Sequence, residues 1–479
     1  MTDALHIAYV TSEMVPFMKT GGLADVSAAL PKALVRLGHR VTVVMPRYGS
    51  IPSAPGDFVG EVAVSVDAAP RSAGFYRLHT DAGVDVVFVE HSPFYHRPHP
   101  YGADDDGLRF AFLARAALEY FRSRGERPSV FHNHDWQTGL VPVYLKAFYW
   151  DDPTLHRIPS VFTIHNVAYQ GQFGPDTLGV LSLPAHLAQS FALGYGGAIS
   201  YLKGGTVFAE AVSTVSPTYA LEIQGSEHGF GFEETVRSRA GDVVGILNGV
   251  DYDVWDPATD EHIARRYSVD DLGGKIACKS ELLRLFGLPE SPDLPVVGIT
   301  SRLVLQKGFD IVAGASWDLV QRPLRMVMLG TGEDSIQGGL AELAQRAPDR
   351  FAARFAYDEA LAHRIMAGSD IFLMPSRSEP CGLTQMYALK YGTVPIVRTT
   401  GGLADTVEPW DPASGHGTGF RFDHPDGTGL VWALDQALGA HRDRAAWTRL
   451  MRNGMGKDLS WERSAREYVA LYRRAAGRV

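Results

Sequence analysis

Two cysteines, Cys278 and Cys381, are all that the 479 residues contain, and their wide separation leaves no disulfide framework and no CxxC pair for metal or redox chemistry. A reducing compartment suits such a chain. Long apolar runs are missing as well. Nothing approaches the roughly 20 residues that cross a bilayer, and the opening MTDALHIAYVTSE lacks the basic stretch and apolar run of a signal peptide. The expectation is a cytoplasmic protein with no membrane partner. Positive charge is scarce too: Lys and Arg number 45 against 54 Asp and Glu, a formal charge of -9 with no basic block. A nucleic-acid backbone is therefore not an expected partner. What remains, 45% hydrophobic and 21% charged residues, is ordinary for a globular enzyme and is enough to give each of two large domains its own core.

The opening segment alternates in period. His6 to Val10 is short, apolar and β-prone; Gly21 and Gly22 break the chain; Leu23, Val26, Leu30, Leu34 and Leu37 recur at helical spacing; Arg40 to Met45 reads as another buried strand. This βαβ grammar predicts a parallel sheet covered by helices. Pro31 inside the helical pattern predicts a kink or a late start. The grammar restarts later, with strands expected at Val296–Thr300, Met326–Leu329, Ile371–Met374 and Val394–Val397. There Thr20-Gly21-Gly22-Leu23-Ala24-Asp25 returns letter for letter as Thr400-Gly401-Gly402-Leu403-Ala404-Asp405, again between a strand and a helix. The expected fold class is α/β, with two Rossmann-like doubly wound domains at 1–246 and 247–457 and turn residues Asn248-Gly249-Val250-Asp251 beside the boundary. Residues 458–479 carry Trp461, Ala465, Tyr468 and Tyr472 at helical spacing and end in Arg473 and Arg474, where positive charge suits a helix carboxyl end. This helix is expected to pack back on the amino-terminal domain.

Several groups fit transfer from an activated phosphate ester. Arg302 and Lys307 follow an apolar strand, where ligands gather in open α/β sheets, and offer a planar fork and a mobile point charge to phosphate oxygens. Lys19 precedes Gly21 and Gly22, whose lack of side chains lets backbone amides approach an anion. Neither glycine loop is a GxGxxG or a Walker sequence. Gly330-Thr331-Gly332 is a further glycine turn after a strand. Glu379, in Pro375-Ser376-Arg377-Ser378-Glu379-Pro380-Cys381-Gly382-Leu383-Thr384, is a carboxylate that can hold sugar hydroxyls or stabilise positive charge at an anomeric carbon, beside helix-start amides of Gly382, Leu383 and Thr384 that suit an anion. Cys381 reads as packed rather than nucleophilic. The HxH of His132-Asn133-His134-Asp135 lacks further ligands for zinc, and Asp104-Asp105-Asp106, flanked by glycines with no preceding strand, reads as a solvated loop rather than a metal clamp. No metal and no cofactor are expected.

These motifs, taken in order, resemble the bacterial glycogen synthases and plant starch synthases, retaining glucosyltransferases of the two-Rossmann GT-B type with a cleft between the domains. The resemblance runs from Ser12-Glu13-Met14 and Lys19-Thr20-Gly21-Gly22-Leu23-Ala24-Asp25-Val26 through His134-Asp135-Trp136, Thr163-Ile164-His165-Asn166, Asn248-Gly249-Val250-Asp251, Ser301-Arg302-Leu303, Gln306-Lys307-Gly308 and Glu379-Pro380-Cys381-Gly382-Leu383-Thr384 to Ser460-Trp461. It implies that the donor is ADP-glucose, with UDP-glucose the alternative, and that the acceptor is an α-1,4-glucan. By the same resemblance Lys19, Arg302 and Lys307 hold the donor diphosphate, Gly22, Asp25, Asn248 and Gly332 lie near the donor, and Tyr357 stacks on its base. His165 contacts the glucose and offers its carbonyl near the anomeric centre, with Glu379 on the sugar hydroxyls. Glu13, Tyr95, His134, Trp136 and Asn166 match positions lining the acceptor groove, where Tyr95 and Trp136 would offer rings to sugar faces. Many related transferases carry a second glutamate eight residues after the first, as a ribose contact. Here Tyr387 stands in that place, as in glycogen and starch synthases.

Double displacement needs a nucleophilic carboxylate about 5 Å from an acid/base partner, and Asp135 is the one motif carboxylate that could serve. The family is instead thought to react on one face of the sugar. A glucan phosphorylase of related architecture would require pyridoxal phosphate, which no feature here demands, and an oxidoreductase would show the missing GxGxxG. The two glycine loops differ in one respect. Lys19 stands ahead of the first, whereas Arg398 is the nearest basic residue before the second, so the first is expected to bind diphosphate and the second to be its structural counterpart near Glu379. No protein partner is readable.

Overall fold

The computed structural model describes residues 4–51, 55–67, 69–291 and 293–479; residues 1–3, part of the opening segment read above, lie outside them. The described chain forms two units, Met1–Gly249 with Trp461–Val479, and Val250–Ser460. The boundaries fall within the Asn248–Asp251 turn and immediately before Trp461.

The first unit is built on a sheet whose strands lie in the order Val243–Gly245, Ala211–Thr214, Ser160–Ile164, Val130–His134, His6–Val10, Arg40–Pro46, Asp85–Glu90, Pro70–His79 and Asp57–Ser65. The pairs up to Arg40–Pro46 with Asp85–Glu90 are parallel and the last two are antiparallel. Helices cover the parallel strands, so these strands are largely buried on both faces and mostly apolar. The helix Gly22–Arg36 buries Leu23, Val26, Leu30 and Leu34 on one face and runs through Pro31. It begins at Gly22 rather than late, because only the one bond that the ring nitrogen cannot donate is lost. The helix Trp461–Ala476 belongs to this unit, and Trp461, Ala465, Tyr468, Leu471, Tyr472 and Ala475 are part of its core.

The second unit holds a fully parallel sheet in the order Phe351–Arg354, Arg325–Leu329, Val296–Thr300, Ile371–Met374, Val394–Arg398 and Phe420–Phe422. Its core joins the inner faces of these strands to helices such as Asp334–Arg346 and Gly427–Arg442. In each unit the strand order reverses once beside the first strand: at His6–Val10 against Val130–His134, and at Val296–Thr300 against Ile371–Met374. The carboxyl ends at such a reversal leave a crevice into which both following loops project. Among the described residues no helix is long and apolar enough to cross a membrane.

Candidate functional site

In the first unit the strand His6–Val10 delivers Glu13, which is 4% exposed. Its Oε1 accepts from the hydroxyls of Thr20 and Tyr101, both at 2.7 Å, and its Oε2 from the amides of Thr20 at 2.5 Å and Gly21 at 3.3 Å. A carboxylate has about four lone-pair positions, and these four donors fill them. Glu13 thus clamps the glycine turn, and the amides of Thr20 and Gly21 are given to it. Tyr101 escaped the sequence reading because nothing at 88 positions' separation marks it as Glu13's partner. Lys19 and Asp25, both candidates, form an ion pair of 2.7 Å. Gly22 opens the helix. No atom lies within 4 Å of a Cβ built on Gly21, whose φ of -156° is ordinary extended backbone, so neither packing nor conformation demands glycine there.

The next strand, Val130–His134, is buried throughout despite its polar residues, because those residues bond one another and their neighbours. His132 joins Tyr472 through Nδ1 at 2.9 Å and Thr163 through Nε2 at 2.7 Å, which spends both nitrogens on protein. His134 is fully buried and packed against Tyr9 and His132, each with ring centroids at 4.0 Å, and its Nδ1 lies 3.0 Å from Nε2 of His165. It has no surface to line an acceptor groove. Burial holds these imidazoles neutral, lowering His165 to about 3 and His132 and His134 well below their ordinary value.

Asp135 adopts φ 54°, rare outside glycine, and its Oδ1 accepts the His165 amide at 2.7 Å. Burial pushes its carboxyl up to about 7, against the lowering effect of backbone bonds from His165 and Asn166. Asn166 shapes the turn after His165, its Oδ1 accepting the Ala168 amide at 3.1 Å and its carbonyl the Tyr169 amide at 3.2 Å. Trp136 is half-buried against Phe110 and Phe173, and a Cβ on Gly171 would stand 2.5 Å from its ring, so the backbone at Gly171 lies on the indole. Tyr95 is fully buried, packed on Tyr48 and Phe112, with its hydroxyl donated to the Arg109 carbonyl at 2.9 Å. The expectation that Tyr95 offers a ring to sugar is corrected, since a core tyrosine and a stacking tyrosine are the same letter in a sequence. Of Asp104-Asp105-Asp106, exposed Asp104 and half-buried Asp105 form the expected turn, Asp105 taking both terminal nitrogens of Arg97 at 2.5 and 2.6 Å, whereas buried Asp106 begins a helix and accepts the Gly102 amide. Asn248 is buried, and its Oδ1 has no hydrogen-bond partner among the described residues.

In the second unit Arg302 is exposed and makes no ion pair among the described residues. Its loop is stitched down at Leu303, whose amide donates to Thr331 and whose carbonyl accepts from Glu333, each at 2.8 Å. A Cβ on Gly332 would sit 2.1 Å from that carbonyl, so packing of the Arg302 loop already requires this glycine. Lys307 donates to both oxygens of Glu379, at 2.7 and 2.6 Å, and Ser376 donates to Oε2 at 3.0 Å. Glu379 is 5% exposed. The second glycine pair lies directly beneath: the Gly402 amide donates to the carbonyls of Glu379 and Pro380, and Cβ atoms on Gly401 and Gly402 would meet the carbonyls of Glu379 and Cys381 at 2.0 Å each. Arg398 Nε fixes the same loop through the Ser376 carbonyl at 2.8 Å.

Gly382, at φ 70°, turns the chain into the helix Thr384–Lys390, which starts at Leu383 without a side-chain cap. Tyr357 is 75% exposed, presenting its ring. Tyr387 lies in a stack, 4.1 Å from the Trp255 ring, which also covers His363 at 3.7 Å.

Residues 6–238 match the family model for the starch synthase catalytic domain and residues 286–453 that for glycosyl transferases group 1. A glycogen synthase from an Anaeromyxobacter species is 48% identical over 480 residues, 98% of this chain and 100% of that one. Another, from Koribacter versatilis, is 46% identical over 477 residues and 98% of both chains. The solved catalytic domain of starch synthase IV from Arabidopsis thaliana, bound to ADP and acarbose, superposes with a TM-score of 0.91 at 35% identity, covering 99% of this chain and 100% of that one. Identity of this size along almost the whole length, on two Rossmann-like units with chemistry-bearing loops at their strand-order reversals, means that the chain belongs to the glycogen synthase and starch synthase family of GT-B glycosyltransferases.

Proposed function

We propose that this chain transfers glucose from ADP-glucose to the non-reducing end of an α-1,4-glucan with retention of configuration, releasing ADP. The observation that carries this reading is the Lys307–Glu379 pair at the reversal point of the second sheet, beside exposed Arg302. As the glycosidic bond to phosphate breaks, charge builds on the leaving diphosphate and positive charge on the anomeric carbon, and fixed charges of both signs are what that change requires. In the second unit Arg302 and Lys307 offset the diphosphate and Glu379 holds the glucose; in the first unit Lys19, Gly22, Asp25 and Asn248 are read as donor residues and His165 as a glucose contact. The uncapped turn at Gly382, Leu383 and Thr384 offers amides to an anion. Exposed Tyr357 offers a ring to the base, and ADP in the starch synthase IV structure supports adenine.

Asp135 is a poor nucleophile in this reading. Its carboxylate is committed to backbone amides and biased toward the protonated form, so it positions the His165 peptide, and the reaction proceeds on one face of the sugar. The reaction belongs in the cytoplasm. Incubation with glycogen and either ADP-glucose or UDP-glucose, with released nucleotide measured, tests the donor. ADP release well above UDP release is expected; turnover of UDP-glucose alone would overturn it. An α-configured product by proton NMR is the outcome expected for retention.

A further inference from the structure

His134 and His165 form one hydrogen-bonded pair, Nδ1 of the first 3.0 Å from Nε2 of the second. Two neutral rings have one proton to place between those nitrogens. The remaining nitrogen of His134 decides where it goes. That Nε2 is buried with no hydrogen-bond partner among the described residues, and the ring is packed against Tyr9 and His132. A proton there would be a buried donor without an acceptor, a heavier loss than a bare lone pair. His134 therefore carries its proton on Nδ1 and donates it to Nε2 of His165. With Nε2 occupied as an acceptor, His165 keeps its own proton on Nδ1.

We infer that His134 is a positioning residue that fixes His165 as the Nδ1–H tautomer, so that His165 presents a hydrogen-bond donor, not an acceptor, to a hydroxyl of the glucose being transferred. The inference rests on the proposed contact of His165 with that sugar. Burial of both rings keeps the pair neutral, so no second proton enters it near neutral pH. The arrangement also accounts for a polar side chain that is fully buried and touches no surface.

Long-range proton–nitrogen spectra of histidine-labelled protein, with His134 and His165 assigned through the signals lost in His134→Asn and His165→Ala, test the tautomers directly. Protonated Nδ1 and bare Nε2 are expected in both rings; His165 protonated at Nε2 overturns the inference. The variants supply a second test. The Asn side chain places an amide nitrogen on Cγ where histidine has Nδ1, whereas leucine fills similar space with no donor. His134→Asn is expected to keep kcat within about threefold and His134→Leu to lose about 30-fold with the glucan KM unchanged, as for loss of a preorganised polar contact. A leucine variant as active as the parent, or an asparagine variant as slow as leucine, overturns it. Because the spectrum is recorded on the parent protein without substrate, the two levels separate. The expected tautomer together with undiminished turnover in His165→Ala would overturn the presentation to sugar and, with it, the proposed role of His165.

Discussion

The ammonium of Lys307 lies 2.7 and 2.6 Å from the two carboxylate oxygens of Glu379. The cation proposed for the leaving diphosphate and the carboxylate proposed for the glucose are thus one pair, and each fixes the position of the other. Ser376 completes the arrangement on Oε2 and Arg398 anchors the Ser376 carbonyl, so the pair stands on a loop that is itself held.

Lys307→Ala should fail in two ways. Turnover should fall on the order of 10² to 10³, as for loss of a preorganised charge. The variant should also lose about 2 to 4 kcal/mol of stability, since a carboxylate only 6% exposed in its side chain is left without its counter-ion. Glu379→Gln should slow turnover similarly but cost only about 1 kcal/mol, because it retains shape and leaves Lys307 able to reach water. Denaturant unfolding beside initial rates separates the two effects; equal stability of Lys307→Ala and the parent would contradict the pairing.

The two copies of Thr-Gly-Gly-Leu-Ala-Asp should answer alanine differently. Gly401→Ala or Gly402→Ala forces a Cβ to within 2.0 Å of a carbonyl, and either should cost more than about 2 kcal/mol, the range of severe backbone clashes. Gly21→Ala meets nothing and needs no unusual φ, so its stability should stay within about 0.5 kcal/mol of the parent. It should nevertheless raise the KM for the donor about tenfold if close ligand approach is what glycine serves there. Thermal unfolding and donor titration on the same preparations decide the contrast, and loss of stability in Gly21→Ala would show that the first copy is structural too.

The echo was legible because βα turns write glycine into sequence, and the strands around it because parallel sheets buried on both faces read as apolar runs. The work of each copy was not. Gly402 is explained by a carbonyl 21 positions away and Glu13 by Tyr101, 88 positions away, and pairings at such separation leave no local mark. The burial of Tyr95 and His134 was not legible for a related reason: exposure is a property of the whole core, so residue type alone cannot tell a ring offered to a ligand from one buried against Tyr48 or against Tyr9 and His132. Arg302, Lys307 and Glu379 stand out in the sequence because each lies in a short loop directly after an apolar run, and the structure brings Lys307 and Glu379 together as an ion pair.

The terminal helix is keyed into the first unit by a polar contact as well as by its apolar face. Tyr472→Phe removes the hydroxyl 2.9 Å from buried His132 Nδ1, and an orphaned buried nitrogen should cost about 1 to 2 kcal/mol. Ending the chain before Trp461 removes Trp461, Tyr468, Leu471 and Tyr472 from the core, each worth about 1.5 to 3 kcal/mol of burial, and should leave the first unit unable to fold. Urea unfolding tests the first and soluble yield with circular dichroism the second. A stable, soluble truncated chain would show the helix to be dispensable.

Burial pushes the Asp135 carboxyl up to about 7, whereas in an unfolded chain an aspartate titrates near about 3.9. Between those values the folded protein keeps a proton that the unfolded chain has lost. Stability therefore falls as pH rises across the window, and the whole penalty is present above about pH 7. Asp135→Asn removes the charge but keeps an oxygen for the His165 amide, now 2.7 Å away. The asparagine variant should accordingly be more stable than the parent at alkaline pH, by about 2 kcal/mol once partial solvent access at this half-buried site is allowed for. The advantage should shrink through pH 6 and vanish near about pH 4, where both chains are neutral at this position. His165 acts in the opposite sense: with its imidazole lowered to about 3 by burial, the unfolded chain takes up a proton below about pH 6.5 that the folded one refuses, and stability falls toward acid. That loss is common to both proteins and cancels from their difference, so the pH dependence of the difference isolates Asp135. Parallel curves would show that Asp135 ionises as an ordinary carboxylate and would restore it as a candidate nucleophile.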